Sequence, residues 1–192
     1  MDKPLARVLL AQAGGRVPRG VVLERGDEPL AELAFPLIVK PSREDASHGI
    51  ERASVVASER AARERAGYVI ERYREPALVE EFVAGREFNL ALLGQGQSLR
   101  ILSFGEIDFS RLAPGVPHLV TYASKWIEGS PDWNDTLSVG ARELGQGERA
   151  EIEQAALGAY RALGLADYGR VDLRLDGRGQ AFVIDVNPNP DL

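Results

Sequence analysis

The chain has 192 residues, of which 44% are hydrophobic and 27% charged, values typical of a globular protein with one or two small domains. A net charge of −6 argues against nucleic-acid partners, because binding that ignores base sequence needs a basic surface. The lack of cysteine excludes disulfides and thiol chemistry, and two histidines are too few to favour a histidine-based zinc site. No stretch approaches the roughly 20 apolar residues of a membrane span, and the start lacks a signal-peptide core, so we expect a cytoplasmic protein without a membrane partner.

Helices and short strands alternate in the first half of the chain. Apolar periodicity and the positions of glycine and proline mark the predicted segments. They are a helix at 2–13, a buried strand at 36–40, a polar loop at 41–50, a strand at 55–56 and a helix at 58–74. Ser58 is suited to cap the last of these helices, whose Arg–Glu spacing is typical of a solvated face.

The second half predicts mainly strands, followed by one helix and a hairpin. The segments are strands at 77–83, 86–93 and 99–109, an amphipathic helix at 148–163 and a hairpin at 168–187. Between them, residues 110–147 form a loop-rich stretch. Connections of this length in a compact domain are usually functional or mobile.

The hairpin is the most informative segment. Antiparallel pairing across residues 177–180 places Asp172 opposite Asp185 and Arg170 opposite Asn187, and all four share one face because side chains alternate along a strand. Three oxygen ligands and a cation suit Mg²⁺ that also holds phosphates, although a half-solvated hairpin with polar residues outside is the plain alternative. We expect the opposite face to be apolar and to consist of Val171, Leu173, Leu175, Phe182, Ile184 and Val186.

Short motifs follow one another in a distinctive order. They read VKP before a Ser/Gly loop, VEEFV before GREF, YASKW in the long loop, and GRVD and DVNP in the hairpin. In this order and spacing the chain resembles the ATP-grasp superfamily, and within it the D-alanine–D-alanine ligase-like branch, nearly end to end.

The resemblance implies an α+β fold in which two lobes with mainly antiparallel sheets sandwich the nucleotide. Residues 1–80 then form the small lobe, with the phosphate loop at 41–50. Residues 81–192 form the large lobe, with the metal-binding hairpin at 168–187.

The resemblance also assigns residues to the phosphates of ATP. Lys3 and Lys40 match lysines that contact the phosphates, and Lys125 matches the lysine of a mobile loop that closes over the terminal phosphates and acts in catalysis. These are the only lysines of the chain. Ser47 and Gly49 lie in the loop that folds over the phosphates, where backbone N–H groups donate to anions.

The remaining assignments concern the nucleoside and the metal. Glu80, Glu81 and Val83 match the strand that reads adenine, with the share of each glutamate left open, and Glu87 matches the acid that binds the ribose. Two Mg²⁺ ions, with Mn²⁺ as an alternative, are implied by the match of their ligands with Asp172, Asp185 and Asn187. Arg170 matches a catalytic arginine that neutralises the phosphate and a developing oxyanion.

The implied reaction joins a small carboxylate and an amine, both amino-acid-like. The carboxylate attacks the γ-phosphate of ATP to give an acyl phosphate, and the amine then attacks the acyl carbon. The alternative, which the residues leave open, is a non-catalytic or partner-completed nucleotide-binding module.

The chain departs from the branch at positions that orient substrate. Ala46 replaces a serine and Trp126 a tyrosine, so specificity for D-alanine is not implied, and the family's Asn-x-x-Pro-Gly ends here in Asp191. Family members also carry an N-terminal domain and a C-terminal helix. We therefore expect an excised piece, a gene fragment or half of a split enzyme, completed by a missing domain or within a homodimer.

Overall fold

A computed structural model describes residues 2–30 and 32–190 and shows two sheets with flanking helices. The chain forms two compact units. The first contains Pro18–Phe82 and Phe109–Leu137, and the second contains Leu5–Val17, Val83–Asp108 and the chain from Ser138 onward. The predicted division into two functional lobes at residue 80 stays a prediction.

The first unit is built on a four-stranded antiparallel sheet. Its strands, in spatial order, are β1 Gly20–Leu23, β4 Ala77–Glu81, β2 Leu37–Pro41 and β3 Val55–Val56. Helix α2, Glu59–Tyr73, packs on this sheet. Strands β2, β3 and β4 lie where the sequence predicts strands, whereas β1 was not predicted.

The core of the first unit lies between the sheet and α2. β-branched and leucine residues of the strands meet a stripe of small residues on the helix, and burial of their apolar surface stabilises the unit by roughly 25 cal/mol per Å². The Ser58 hydroxyl accepts a hydrogen bond from the Ala61 amide, which confirms the predicted N-cap. Arg65 departs from the solvated face expected for this helix, because its side chain is buried.

The loop-rich stretch contains two short helices, α3 Tyr122–Trp126 and α4 Pro131–Asp135. Side-chain hydroxyls cap both helices, Thr121 for α3 and Ser130 for α4. These caps satisfy a backbone amide in the first turn of each helix.

The second unit is built on a five-stranded sheet. In spatial order its strands are β7 Leu137–Gly140, β6 Arg100–Asp108, β5 Arg86–Leu93, β8 Tyr168–Leu175 and β9 Ala181–Asn187. Helix α5, Gln146–Ala162, covers one face of this sheet and buries the predicted stripe around Ile152 and Ala156. Leu10, from helix α1 at Lys3–Gln12, belongs to the same core.

The predicted apolar face of the hairpin is wrong at two positions. A bulge between Asp172 and Leu173 shifts the register, so that Leu173 pairs with Val183. An extra residue in one strand reverses the alternation beyond it. Val183 and Ala181 therefore enter the core, in place of the predicted Phe182 and Ile184, whereas the other four predicted residues are buried there as expected.

Gly85 precedes β5 at a point where the backbone allows no side chain. Its φ is +149°, and a Cβ would lie 1.9 Å from the carbonyl oxygen of Leu175. We expect Gly85→Ala to lower the free energy of unfolding by about 2–3 kcal/mol, because both strain and a backbone clash must be relieved. Urea unfolding followed by circular dichroism measures this effect.

Gly158 provides the matched control for this substitution. It lies inside α5, four residues before the end of the helix, is exposed, and has nothing within 4 Å of an added Cβ. Gly158→Ala should raise the free energy of unfolding by about 0.5–1 kcal/mol, because alanine restricts the unfolded chain and favours a helix. Equal effects of the two substitutions would contradict the argument.

Candidate functional site

The polar residues of the hairpin lie on one face of the second unit's sheet. Asp172 pairs with Asp185 and Arg170 with Asn187, as the sequence predicts. Strand β5 adds Glu87 and Asn89 on the same face, since Glu87 pairs with Arg174 and Asn89 with Asp172. The opposite face is the apolar core, so the sheet itself fixes the direction of these side chains.

Asp172 accepts hydrogen bonds from two residues of this face. Arg170 donates to both of its oxygens, from Nε to Oδ1 at 2.8 Å and from Nη2 to Oδ2 at 3.0 Å. Asn89 Nδ2 also donates to Oδ1, at 2.7 Å. Sequence reasoning missed Asn89, although an asparagine between Phe88 and Leu90 in an apolar strand was a signal that could have identified it.

The guanidinium of Arg170 is held firmly in its charged form. Partial burial is the largest single effect and acts to lower its pKa, and the hydrogen bond with Asp172 opposes it. The negative charges of Asp172, Asp185 and Glu87 add to this, and the net result is a raised pKa. A permanent positive charge therefore lies beside the two aspartates.

The oxygen ligands on this face fit a divalent cation that shares its coordination with a ligand. Asp172 and Asp185 supply carboxylates and Asn187 an amide oxygen, which accepts a hydrogen bond from the Asn189 amide at 2.9 Å. Across residues 2–30 and 32–190, no group of three or more His, Cys, Asp or Glu side chains is placed to enclose a metal. Mg²⁺ commonly takes one or two carboxylates and completes its shell with phosphate oxygens and water. Asp191, the last residue of the departure from the family motif, lies outside the described residues.

A buried arginine, Arg174, forms hydrogen bonds with both Glu87 and the backbone of Val83. Arg174 donates from Nε and Nη2 to Oε2 of Glu87, at 3.2 and 2.7 Å, and from Nη1 to the Val83 carbonyl at 2.9 Å. Arg174 and Glu87 are both buried. The sequence did not single out Arg174.

In the first unit, Lys40 and Glu80 form a buried ion pair. Lys40 Nζ lies 2.5 Å from Glu80 Oε2, and the two side chains are only 8% and 2% exposed. Glu81 has different surroundings, because its Oε1 accepts from the Ala34 amide at 2.9 Å and lies 3.4 Å from Arg19 Nη1. The two neighbouring glutamates therefore differ in burial and in partners.

The loop after β2 has an unusual backbone conformation. Ala46 and Ser47 adopt positive φ values of 51° and 62°, and Gly49 has a φ of +75°. A Cβ at Gly49 would lie 2.5 Å from Cγ of Pro41, so only glycine fits. Arg65 Nη2 donates to the Gly49 carbonyl at 2.9 Å and fixes the end of the loop to α2.

Two further groups lie at the start of this loop. Lys3 is buried and its ammonium donates to the carbonyl of Glu44, while its amide donates to the carbonyl of Ser42 at 3.1 Å. The Ser42 hydroxyl is buried and has no hydrogen-bond partner among the described residues. Buried hydroxyl groups normally form a hydrogen bond, so the Ser42 hydroxyl is a candidate donor to a ligand. The sequence analysis did not identify it as such.

Helix α3, which carries Lys125, lies against the same loop. Trp126 Nε1 donates to the Ala46 carbonyl at 2.9 Å, and the Tyr122 amide donates to the Ile50 carbonyl at 2.8 Å. Lys125 therefore lies in a helix whose residues form hydrogen bonds with the loop that contains Ser47 and Gly49. The indole–carbonyl bond also links two of the positions at which the sequence departs from the family motifs.

The predicted residues fall into two sets, one in each unit. The first unit holds Lys3, Lys40, Ser47, Gly49, Glu80, Glu81 and Lys125, and the second holds Val83, Glu87, Arg170, Asp172, Asp185 and Asn187. Within the second set, five side chains share one sheet face.

No helix among the described residues has the length and apolar character needed to span a membrane.

The family model described as D-ala D-ala ligase C-terminus matches residues 22–192. The chain is 34% identical to a D-alanine–D-alanine ligase of Bordetella avium over 195 residues, which is 100% of this chain and 57% of that protein. It spans little more than half the length of the curated relatives that it matches.

Solved structures are similar in fold. The VanG D-Ala:D-Ser ligase from Enterococcus faecalis aligns with a TM-score of 0.70 at 27% identity, over 99% of this chain and 52% of that one. A D-alanine–D-alanine ligase from Bacillus anthracis complexed with ATP aligns with a TM-score of 0.72 at 19% identity, over 98% and 55% respectively, and shows the fold alone. The predicted α+β ATP-grasp fold is confirmed. The chain belongs to the D-ala D-ala ligase C-terminus family.

Proposed function

We propose that the chain is the ATP- and Mg²⁺-binding region of a carboxylate–amine ligase that works through an acyl phosphate. The observation that carries the proposal is the polar face of the second sheet, where Asp172, Asp185 and Asn187 lie beside Arg170 and on the same face as Glu87. An anionic ligand with its own divalent cation suits this combination of oxygen ligands and a fixed positive charge. Family membership supports the same reading, and a cytoplasmic location is part of the proposal.

The residues have separate tasks in this proposal. Asp172, Asp185 and Asn187 would hold the cation, one Mg²⁺ or two, or Mn²⁺, which when bound neutralises phosphate charge and aligns the phosphates. Arg170 keeps its charge at neutral pH and binds phosphate oxygen, and later the oxyanion formed at the acyl carbon. Asn89 and Arg170 together fix the orientation of the Asp172 carboxylate.

The first unit supplies donors for phosphate groups. Lys3, Lys40 and Lys125 carry positive charge, and the loop with Ser47 and Gly49 is suited to present backbone amides to an anion. The buried Ser42 hydroxyl is a further donor. Glu80, Glu81 and the backbone at Val83 are assigned to adenine, and Glu87 to the ribose.

The substrates are a carboxylate and an amine of amino-acid size. Relatives of this chain are named as ligases of D-alanine, which supports amino acids as the substrate class. A further domain or a second copy of the chain would complete the acceptor site.

Calorimetric titration of the folded chain with ATP tests the proposal. We expect nucleotide binding that requires Mg²⁺ and that Asp185→Ala weakens at least about tenfold, because a carboxylate ligand of the cation is lost. Asp27→Ala is the matched control, since Asp27 is an exposed residue whose ion pair with Arg25 is solvated. A folded wild-type chain without Mg²⁺-dependent binding would overturn the proposal.

A second measurement concerns turnover. Phosphate release from ATP that depends on an added amino acid would support the ligase reaction. Binding of ATP without such release, in a panel that includes D-alanine, would argue for a nucleotide-binding module.

A further inference from the structure

Arg174 is a buried cation that the proposed function does not use. It lies on β8, two residues beyond Asp172 on the same strand face, and its side chain is 3% exposed. Burial of a guanidinium is costly unless its charge is paired and its N–H groups are satisfied. The residues that satisfy it therefore indicate what Arg174 is for.

Two of its partners are groups that the proposed function assigns to the nucleoside. Both N–H contacts to Glu87 converge on one oxygen, Oε2. The third contact goes from Nη1 to the Val83 carbonyl. Val83 lies between β4 and β5, whereas Glu87 lies inside β5, so Arg174 ties an irregular backbone segment to a regular strand.

The geometry leaves Oε1 of Glu87 unused by Arg174. Among the described residues no donor hydrogen-bonds to this oxygen. A carboxylate accepts through both oxygens, and a carbonyl oxygen has two lone pairs. Arg174 can thus anchor Glu87 and Val83 while each keeps an acceptor site for a ligand.

We propose that Arg174 is a positioning residue for the nucleoside half of the ligand. It holds the Glu87 carboxylate in one orientation, so that Oε1 can accept from a ribose hydroxyl. It also fixes the backbone at Val83. The inference rests on the proposed function, which assigns Glu87 to the ribose.

Ribose discrimination provides a readout that a purely structural ion pair would not change. We would measure the affinities of ATP, 2′-deoxy-ATP and 3′-deoxy-ATP by titration calorimetry, with Mg²⁺ present. The wild type should prefer ATP to at least one deoxy analogue by about tenfold, the effect expected for one hydrogen bond to a charged acceptor. Arg174→Met should bind ATP more weakly and lose this preference.

Two further variants separate positioning from stability. Arg174→Lys keeps the charge but not the planar fork, and it should fold while retaining only part of the preference. Arg86→Met removes a comparable arginine, which donates to both oxygens of Glu106 at 2.8 Å. It should lower stability and leave the ribose preference unchanged.

The outcomes distinguish this inference from the proposed function. Loss of the preference in Arg174→Met and its reduction in Arg174→Lys support the positioning role. A preference kept at its wild-type value in either folded Arg174 variant overturns that role and leaves the proposed function standing. A folded wild type that binds no nucleotide overturns the proposed function and the inference together. Binding of ATP without any ribose preference overturns the role of Glu87 and, with it, that of Arg174.

Discussion

Lys40→Met is expected to lower the free energy of unfolding by about 3–5 kcal/mol, because it leaves the Glu80 carboxylate buried without its cation. The cost comes mainly from desolvation of the remaining charge, and less from the loss of the ion pair itself. Urea unfolding followed by circular dichroism would measure it.

The double variant Lys40→Met/Glu80→Leu tests the physical cause. Removing both charges removes the buried carboxylate, so most of the stability should return, as it does when buried ion pairs are replaced by apolar residues. Arg60→Met is the matched control, because Arg60 and Glu64 are 82% and 63% exposed and their ion pair should contribute less than about 1 kcal/mol. A single Lys40→Met variant as stable as the wild type would refute the argument.

The second large effect is expected for Arg170→Gln, which should weaken the binding of Mg²⁺-ATP by about 10- to 100-fold. A hydrogen bond between charged groups contributes about 1.5–3 kcal/mol, and the substitution also removes both N–H contacts that orient Asp172. Titration calorimetry with Mg²⁺-ATP measures the loss of affinity. Adenosine serves as the reference ligand because it lacks phosphates.

Two variants sharpen this result. Arg170→Lys keeps the charge without the two-pronged contact to Asp172 and should show an intermediate loss. Arg142→Gln is the matched control, since Arg142 pairs with Asp108 and is half-exposed. If Arg170→Gln binds Mg²⁺-ATP as tightly as the wild type, Arg170 has no role in binding the phosphates.

The sequence predicted the hairpin well because local signals determine it. Turn residues at 177–180 set the loop, and alternation then placed Asp172 opposite Asp185. The bulge was beyond prediction, because Phe182, Val183 and Ile184 are all apolar and any of them could face a core. Only packing against α5 and the neighbouring strand decides which of them is buried.

Two residues of the site, Arg174 and Asn89, escaped sequence analysis because their partners lie far away in the chain. Arg174 looked like any solvated residue of an alternating strand, and its burial depends on Glu87, which lies 87 residues earlier in the chain. Asn89 is recognisable as a partner of Asp172 only once β5 and β8 are paired. The strand at Gly20–Leu23 is four residues long, too short for its periodicity to be distinctive.

The hydrogen bond between Trp126 and the Ala46 carbonyl also makes intrinsic tryptophan fluorescence sensitive to the 41–50 loop. The chain has two tryptophans, Trp126 and Trp133, and both lie in the stretch that contains α3 and α4. Intrinsic fluorescence therefore arises almost entirely from one loop region. An indole whose hydrogen bond to the 41–50 loop is replaced by one to water changes its emission, so the state of this contact can be monitored without a label.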